Sequence, residues 1–168
     1  MKLKVNFVFN PNDLKDIAAK VDEGYMQQQF QYIVDKEIKD SISKGISPVR
    51  GKRSFAKYKD KNKYPGDKKQ SNKPNLKLTG ELLDNYTART VSGEIAVTIG
   101  IHSDASDFVK TKANANQNGT KTKGGEVAIA ARPFIIQEGE EFNSQISIAI
   151  MKAFANVISK ALKSMKGR

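Results

Sequence analysis

The sequence has no cysteine, no tryptophan and one histidine, His102. Without cysteine there are no disulfides, thiolate metal sites or thiol nucleophiles, a composition compatible with a reducing compartment. With a single imidazole, the ligand sets of zinc hydrolases and deaminases cannot be assembled. A Ser-His-Asp arrangement would have to use His102, and no Gly-x-Ser-x-Gly elbow supports it. No Gly-x-x-x-x-Gly-Lys-Ser/Thr loop occurs, and Lys123-Gly124-Gly125 lacks the strand-then-helix setting that a phosphate loop needs. Glu140 and Glu141 are adjacent and diverge by about 100° on a helix, so they do not face each other. His102, Asp104 and Asp107 are left as the one conceivable acid-base or metal cluster. The expectation is a protein that is not an enzyme and that uses no cofactor or metal.

Long apolar runs are missing as well. No window approaches the roughly 18 apolar residues of a membrane span, and Met1-Lys2-Leu3-Lys4-Val5 alternates in polarity instead of forming a signal-peptide core. A soluble product with no membrane partner is expected. Acidic residues are in the minority: 29 Lys+Arg stand against 18 Asp+Glu, a formal net charge of +11. Such an excess favours polyanions or acidic protein surfaces as neighbours.

What is present reads as one α+β domain over residues 1–168. The pattern predicts a small, mostly antiparallel sheet packed by a long N-terminal helix and a long C-terminal helix, with two extended loops. Leu3, Val5, Phe7 and Phe9 alternate as in a strand with one buried face. Asn10-Pro11-Asn12-Asp13 carries helix-start chemistry, and a helix is expected from about Pro11 to Lys44. Its stripe is Leu14, Ile17, Val21, Met26, Phe30, Ile33, Val34, Ile38 and Ile42, with a bend plausible at Gly24. Gly45 and Pro48 end it.

Residues 48–75 change character. Arg50, Lys52, Arg53, Lys57, Lys59, Lys61, Lys63, Lys68, Lys69 and Lys73 face only Asp60 and Asp67, ten minus two giving +8 of the total +11. With Phe55, Tyr58 and Tyr64 interspersed, this extended basic arm suits either phosphates and stacked bases or a neighbouring subunit. A short helix capped by Thr79 follows, turning Leu78, Leu82, Leu83 and Tyr86 inward. A hairpin pairs Thr87–Val91 with Ile95–Ile101 around Ser92-Gly93-Glu94. Residues 102–125, rich in Asn, Thr, Lys and Gly, are expected to be a flexible loop, with Val127 to Ala131 resuming the sheet. At Arg132-Pro133-Phe134 the proline forces a turn, with Phe134 in the core and Arg132 in a nearby ion pair. A helix from about Gly139 to Lys166 closes the chain, acids at its start and lysines at its end.

This order of motifs resembles the head-to-tail joining and tail-completion proteins of tailed bacteriophages, also described as minor tail or virion morphogenesis proteins. The resemblance spans about residues 14–163. It rests on the helix ending at Ser47-Pro48-Val49, the basic linker, and Leu78-Thr79-Gly80-Glu81-Leu82, similar to the family's Leu-x-Ser-Gly-x-Leu element. The hairpin ending Val97-Thr98-Ile99-Gly100 comes next, then Ala131-Arg132-Pro133-Phe134-Ile135, similar to the family's Arg-Pro-Phe-Leu signature. The resemblance implies a structural virion protein, assembled in the host cytoplasm and resident in the neck or tail. It would form a homo-oligomeric ring, six-fold favoured and twelve-fold possible, between the connector or portal side and the tail tube. DNA would pass through the lumen without sequence recognition. The alternative from the residues themselves is a basic nucleic-acid-binding module using the Arg50–Lys73 arm.

Overall fold

The computed structural model describes residues 11–57, 76 and 80–166. The strand expected at Leu3–Phe9 lies outside them. Helix α1 (Pro11–Ala18) begins where the proline predicts. The single long N-terminal helix is not what forms: the chain leaves helical geometry over residues 19–22 and restarts as α2 (Glu23–Ile33). The break falls before Gly24, at Asp22, whose extended backbone and side chain, accepting from Tyr25 N at 2.9 Å, make it the cap of a new helix. Gly24 sits inside the first turn of α2.

From α2 the chain runs through a widened π turn, Val34–Ile38, into α3 (Lys39–Ser43). The cause is visible in the residues. Phe30, Val34, Ile38 and Ile42 are all fully buried, and a repeat of strictly four residues drifts by about 40° per step on an ideal α-helix. A turn with i→i+5 bonding absorbs part of that drift and keeps the stripe on the core. Gly45 then takes φ +74° and ends the helix, as its position predicts.

Helix α4 (Glu81–Asp84) leads into strands β1 (Tyr86–Thr90) and β2 (Val97–Ile101), antiparallel with Ala88 opposite Ile99. The expected single sheet is instead two separate two-stranded ribbons among the described residues. The second joins β3 (Thr120–Lys121) to β4 (Val127–Ile129), so the apolar run at Val127 pairs with β3 and does not rejoin the hairpin. Residues 121–128 are all exposed, which is why this run does not act as a core strand.

The flexible loop expected over residues 102–125 is overturned as well. It contains α5 (Asp107–Asn118), capped by Ser106, whose Oγ accepts from Val109 N at 3.3 Å. Val109, Ala113 and Gln117, four residues apart, form its buried side. Helix α6 (Ser144–Lys166) starts five residues later than Gly139 because Asn143 is its cap, Oδ1 accepting from Ile146 N at 3.1 Å.

One apolar cluster joins α2, the π turn, α3, the β1–β2 hairpin, α5 and α6, with Phe30 edge-on to Phe154 at 4.5 Å. Helix α1 contributes to a separate small cluster of Ile17, Ile158 and Ala161. On its outer edge β1 meets α2 in place of another strand. Gln27 Nε2 donates to Ala88 O at 2.6 Å, Thr90 N donates to Gln27 Oε1 at 3.0 Å, and Ala88 N donates to Gln31 Oε1 at 3.1 Å. Two glutamines one helical turn apart thus stand in for a strand and close that edge to intermolecular pairing.

Candidate interaction surface

The corner at Arg132-Pro133-Phe134 is irregular backbone fastened from several sides. Pro133 bars helical geometry at Arg132 and has no N–H to give, so the segment must find its hydrogen bonds outside regular structure. Gln117 of α5 supplies them: its Oε1 accepts from both Phe134 N and Ile135 N at 2.9 Å, and its Nε2 donates to Ile135 O at 2.9 Å. Arg132 N donates to Asn116 O at 2.6 Å. Ser47 Oγ donates to Pro133 O at 2.6 Å, and the Tyr86 hydroxyl donates to Phe134 O at 3.3 Å. Burial pushes the Tyr86 phenol well above its ordinary range, so it remains a donor across the working pH range.

Phe134 is fully buried, as expected from the sequence. Arg132 is 3% exposed, and its guanidinium is directed at backbone carbonyls: Nε to Ala56 O at 3.0 Å, Nη1 to Ala130 O at 3.3 Å and Nη2 to Lys57 O at 3.4 Å. The planar fork of arginine suits this three-way contact and a lysine ammonium would not reproduce it. Ala56 and Lys57 lie within the basic segment and are the last of its residues described before 58. An open cleft of about 500 Å³ lies beside them, lined by Lys57, Glu126, Val127, Ile129, Ala130 and Arg132.

Of the ten basic arm residues, Arg50, Lys52, Arg53 and Lys57 are described and exposed; Lys59, Lys61, Lys63, Lys68, Lys69 and Lys73 lie outside the described residues. Arg50 pairs with Glu141, and its backbone N donates to Glu141 O at 2.7 Å, tying the arm's start to the segment before α6. Leu78 and Thr79 also lie outside the described residues. Gly80, at φ +84°, occupies the cap position of α4 that the sequence assigned to Thr79, and Leu82 is buried.

Gln117 is the residue that sequence reasoning missed. The available signal was the spacing Val109, Ala113, Gln117 after the Ser106-Asp107 cap. A buried glutamine does not stand out in an Asn-rich run.

His102 lies 3.1 Å from Thr87 O through Nε2, and Asp104 is taken by Arg89 at 2.9 Å. No group of three His, Cys, Asp or Glu is placed to hold a metal among the described residues, and none of their helices is long and apolar enough to cross a membrane.

The fold is α+β, with helices around two small antiparallel ribbons. Comparison with protein-family models, with curated proteins and with solved structures finds no match to this chain.

Proposed function

We propose that the chain is a structural virion protein that forms an oligomeric ring at the head-to-tail interface of a tailed bacteriophage, joining the capsid connector to the tail tube around the DNA channel. The reading rests on the order of motifs in the sequence, and one structural observation supports it most. Arg132, in the signature turn, holds the carbonyls of Ala56 and Lys57 within the basic arm. A corner fastened from Ser47, Tyr86 and Gln117 gives the arm a fixed point of departure, the property needed by a segment that reaches across to a neighbour in a ring.

The arm's partners in this reading are adjacent subunits and acidic tail-tube surfaces, because a lumen that holds DNA tightly would oppose its passage. In this reading a six-fold ring is favoured over a twelve-fold one, and it assembles in the host cytoplasm and stays in the neck or tail. Purified particles should contain the protein in fixed ratio to the portal, retained through high-salt washing, and negative-stain images of the isolated protein with tail tubes should show rings. Particles that lack the protein or lose it on washing would overturn the reading. Binding of the free chain to duplex DNA with a log-log salt slope of about −0.9 per phosphate contact, without ring formation, would replace it with the nucleic-acid-binding module.

A further inference from the structure

Strand β2 has an outer edge with no hydrogen-bond partner among the described residues. Ala88 directs both its N–H and its C=O at α2 glutamines, and Thr90 N does the same, so these groups of β1 face away from β2. In an antiparallel ladder the residues opposite such positions face outward on the other side. Those residues are Ile101, Ile99 and Val97, opposite Tyr86, Ala88 and Thr90. Val91 N, donating to Ala96 O at 3.0 Å, sets the same phase. The N–H and C=O of Val97, Ile99 and Ile101 therefore point off the free side of the hairpin.

The side chains along this edge are incompletely covered. Val97 is buried, yet Ile99 and Ile101 on the same face are only half-buried against the core. At the far end an open hollow of about 270 Å³ lies between Ile101, Ala113 and Ile135. At the near end Ile95 packs on the cluster of Ile17, Ile158 and Ala161, which puts the last turn of α1 beside the start of β2. Pro11 is six helical residues before Ile17, about 9 Å away. The segment ahead of it alternates: Leu3, Val5, Phe7 and Phe9 interleave with Lys2, Lys4, Asn6 and Val8. Extended, Leu3–Phe9 spans about 23 Å, enough to run the roughly 17 Å of β2.

We propose that the outer edge of β2 is a strand-acceptor site and that Leu3–Phe9 of the same chain occupies it, antiparallel to β2, with Phe9 towards Val97 and Leu3 towards Ile101. The alternation then sets the apolar side of the segment beside Ile99 and over the hollow at Ile101. Lys2, Lys4 and Asn6 share the face that carries Thr98, in water. The segment supplies the donors and acceptors that no described residue offers to Val97, Ile99 and Ile101. An open edge with apolar flanks is a template for pairing with other chains, and this occupant removes it, as the two glutamines do for β1. The inference does not depend on the virion reading.

Amide exchange of the full chain should show Val97, Ile99 and Ile101 protected to within about tenfold of Thr98, whose N–H faces β1. Val5→Asp, which puts a charge on the apolar side, should speed exchange at those three amides by at least about tenfold. Thr98 and the circular dichroism spectrum should be unchanged. The absence of natural cysteine gives a second, independent arm. With Thr98→Cys as the anchor, one of Lys4→Cys, Asn6→Cys and Val8→Cys should close an intramolecular disulfide at every protein concentration, because these positions share its face. Val5→Cys, on the opposite face, should not. Free exchange at Val97, Ile99 and Ile101 beside a protected Thr98, or protection indifferent to Val5→Asp, would overturn the proposal. So would disulfides that are absent, that ignore the alternation, or that join two chains.

Discussion

Gln27 and Gln117 do similar work at different places: each is a helix glutamine whose amide satisfies backbone groups that no neighbouring strand reaches. Removing such a side chain leaves two backbone groups without that partner at Gln27 and three at Gln117, and the cost comes from their desolvation more than from the lost bonds. Gln27→Leu keeps the helix propensity and most of the volume but strands Ala88 O and Thr90 N. It should lower stability by about 1–3 kcal/mol, read as a reduced urea midpoint with an unchanged slope. The apolar core residues were legible from their spacing, since Phe30, Ile38, Ile42, Ile146, Ile150 and Phe154 are all buried as the periodicity predicts. The glutamines were not, because a polar residue signals nothing about burial until its partners are known. Arg132 shows the same limit. Proline spacing marked the turn, but only tertiary structure brings the carbonyls of Ala56 and Lys57 to it.

At the scale of elements, boundaries set by capping chemistry decided where the sequence reading succeeded. Gly45 and Pro11 were recognisable as stop and start. Asp22 and Ser106 were passed over, one because it lay within a longer apolar stripe and the other because it opened a polar run. Two elements follow from those caps, the break before α2 and the whole of α5. In the β3–β4 ribbon, Val127 to Ala131 was expected to resume the main sheet because Val127, Ala128 and Ile129 are apolar, and β3 fell within the expected loop. Two strands alone are marginal in water, and this ribbon is held at its base by close packing at Gly119. There φ is +73°, and a Cβ would lie 2.7 Å from Ile129 O and 2.9 Å from Ala131 N. Gly119→Ala should therefore cost about 1–3 kcal/mol through backbone strain and speed amide exchange selectively across Thr120–Ile129.

For the molecule as a whole, surface carboxylates give a defined acid response. The backbone N–H of Tyr25, and then Lys160, hold Asp22 below the usual carboxylate value of 3.8, and Arg89 does the same for Asp104. Because the folded values are depressed, the unfolded chain binds more protons around and below pH 3.8. Stability from these groups is thus complete above that pH and is lost as pH falls through the folded values. Urea midpoints measured across this window should drop on acidification, and Asp22→Asn with Asp104→Asn should flatten that limb by lowering the neutral midpoint towards the acid one. Fold class and the location of most of the interior could be read from the residues, because hydrophobic burial is local in its pattern.

The Arg132 corner has a mechanical side. Any pull travelling along the chain past Lys57 meets the guanidinium of Arg132 before it reaches the helices, and Arg132 is joined through its own backbone to α5 and, through Pro133 and Phe134, to Ser47 and Tyr86. The load is therefore divided among several parallel bonds on different elements, and no single ribbon or helix has to be peeled away by itself. Tension on the chain past Lys57 would be borne by the interior of the protein, with the β3–β4 ribbon engaged only through the Arg132 contact to Ala130 O.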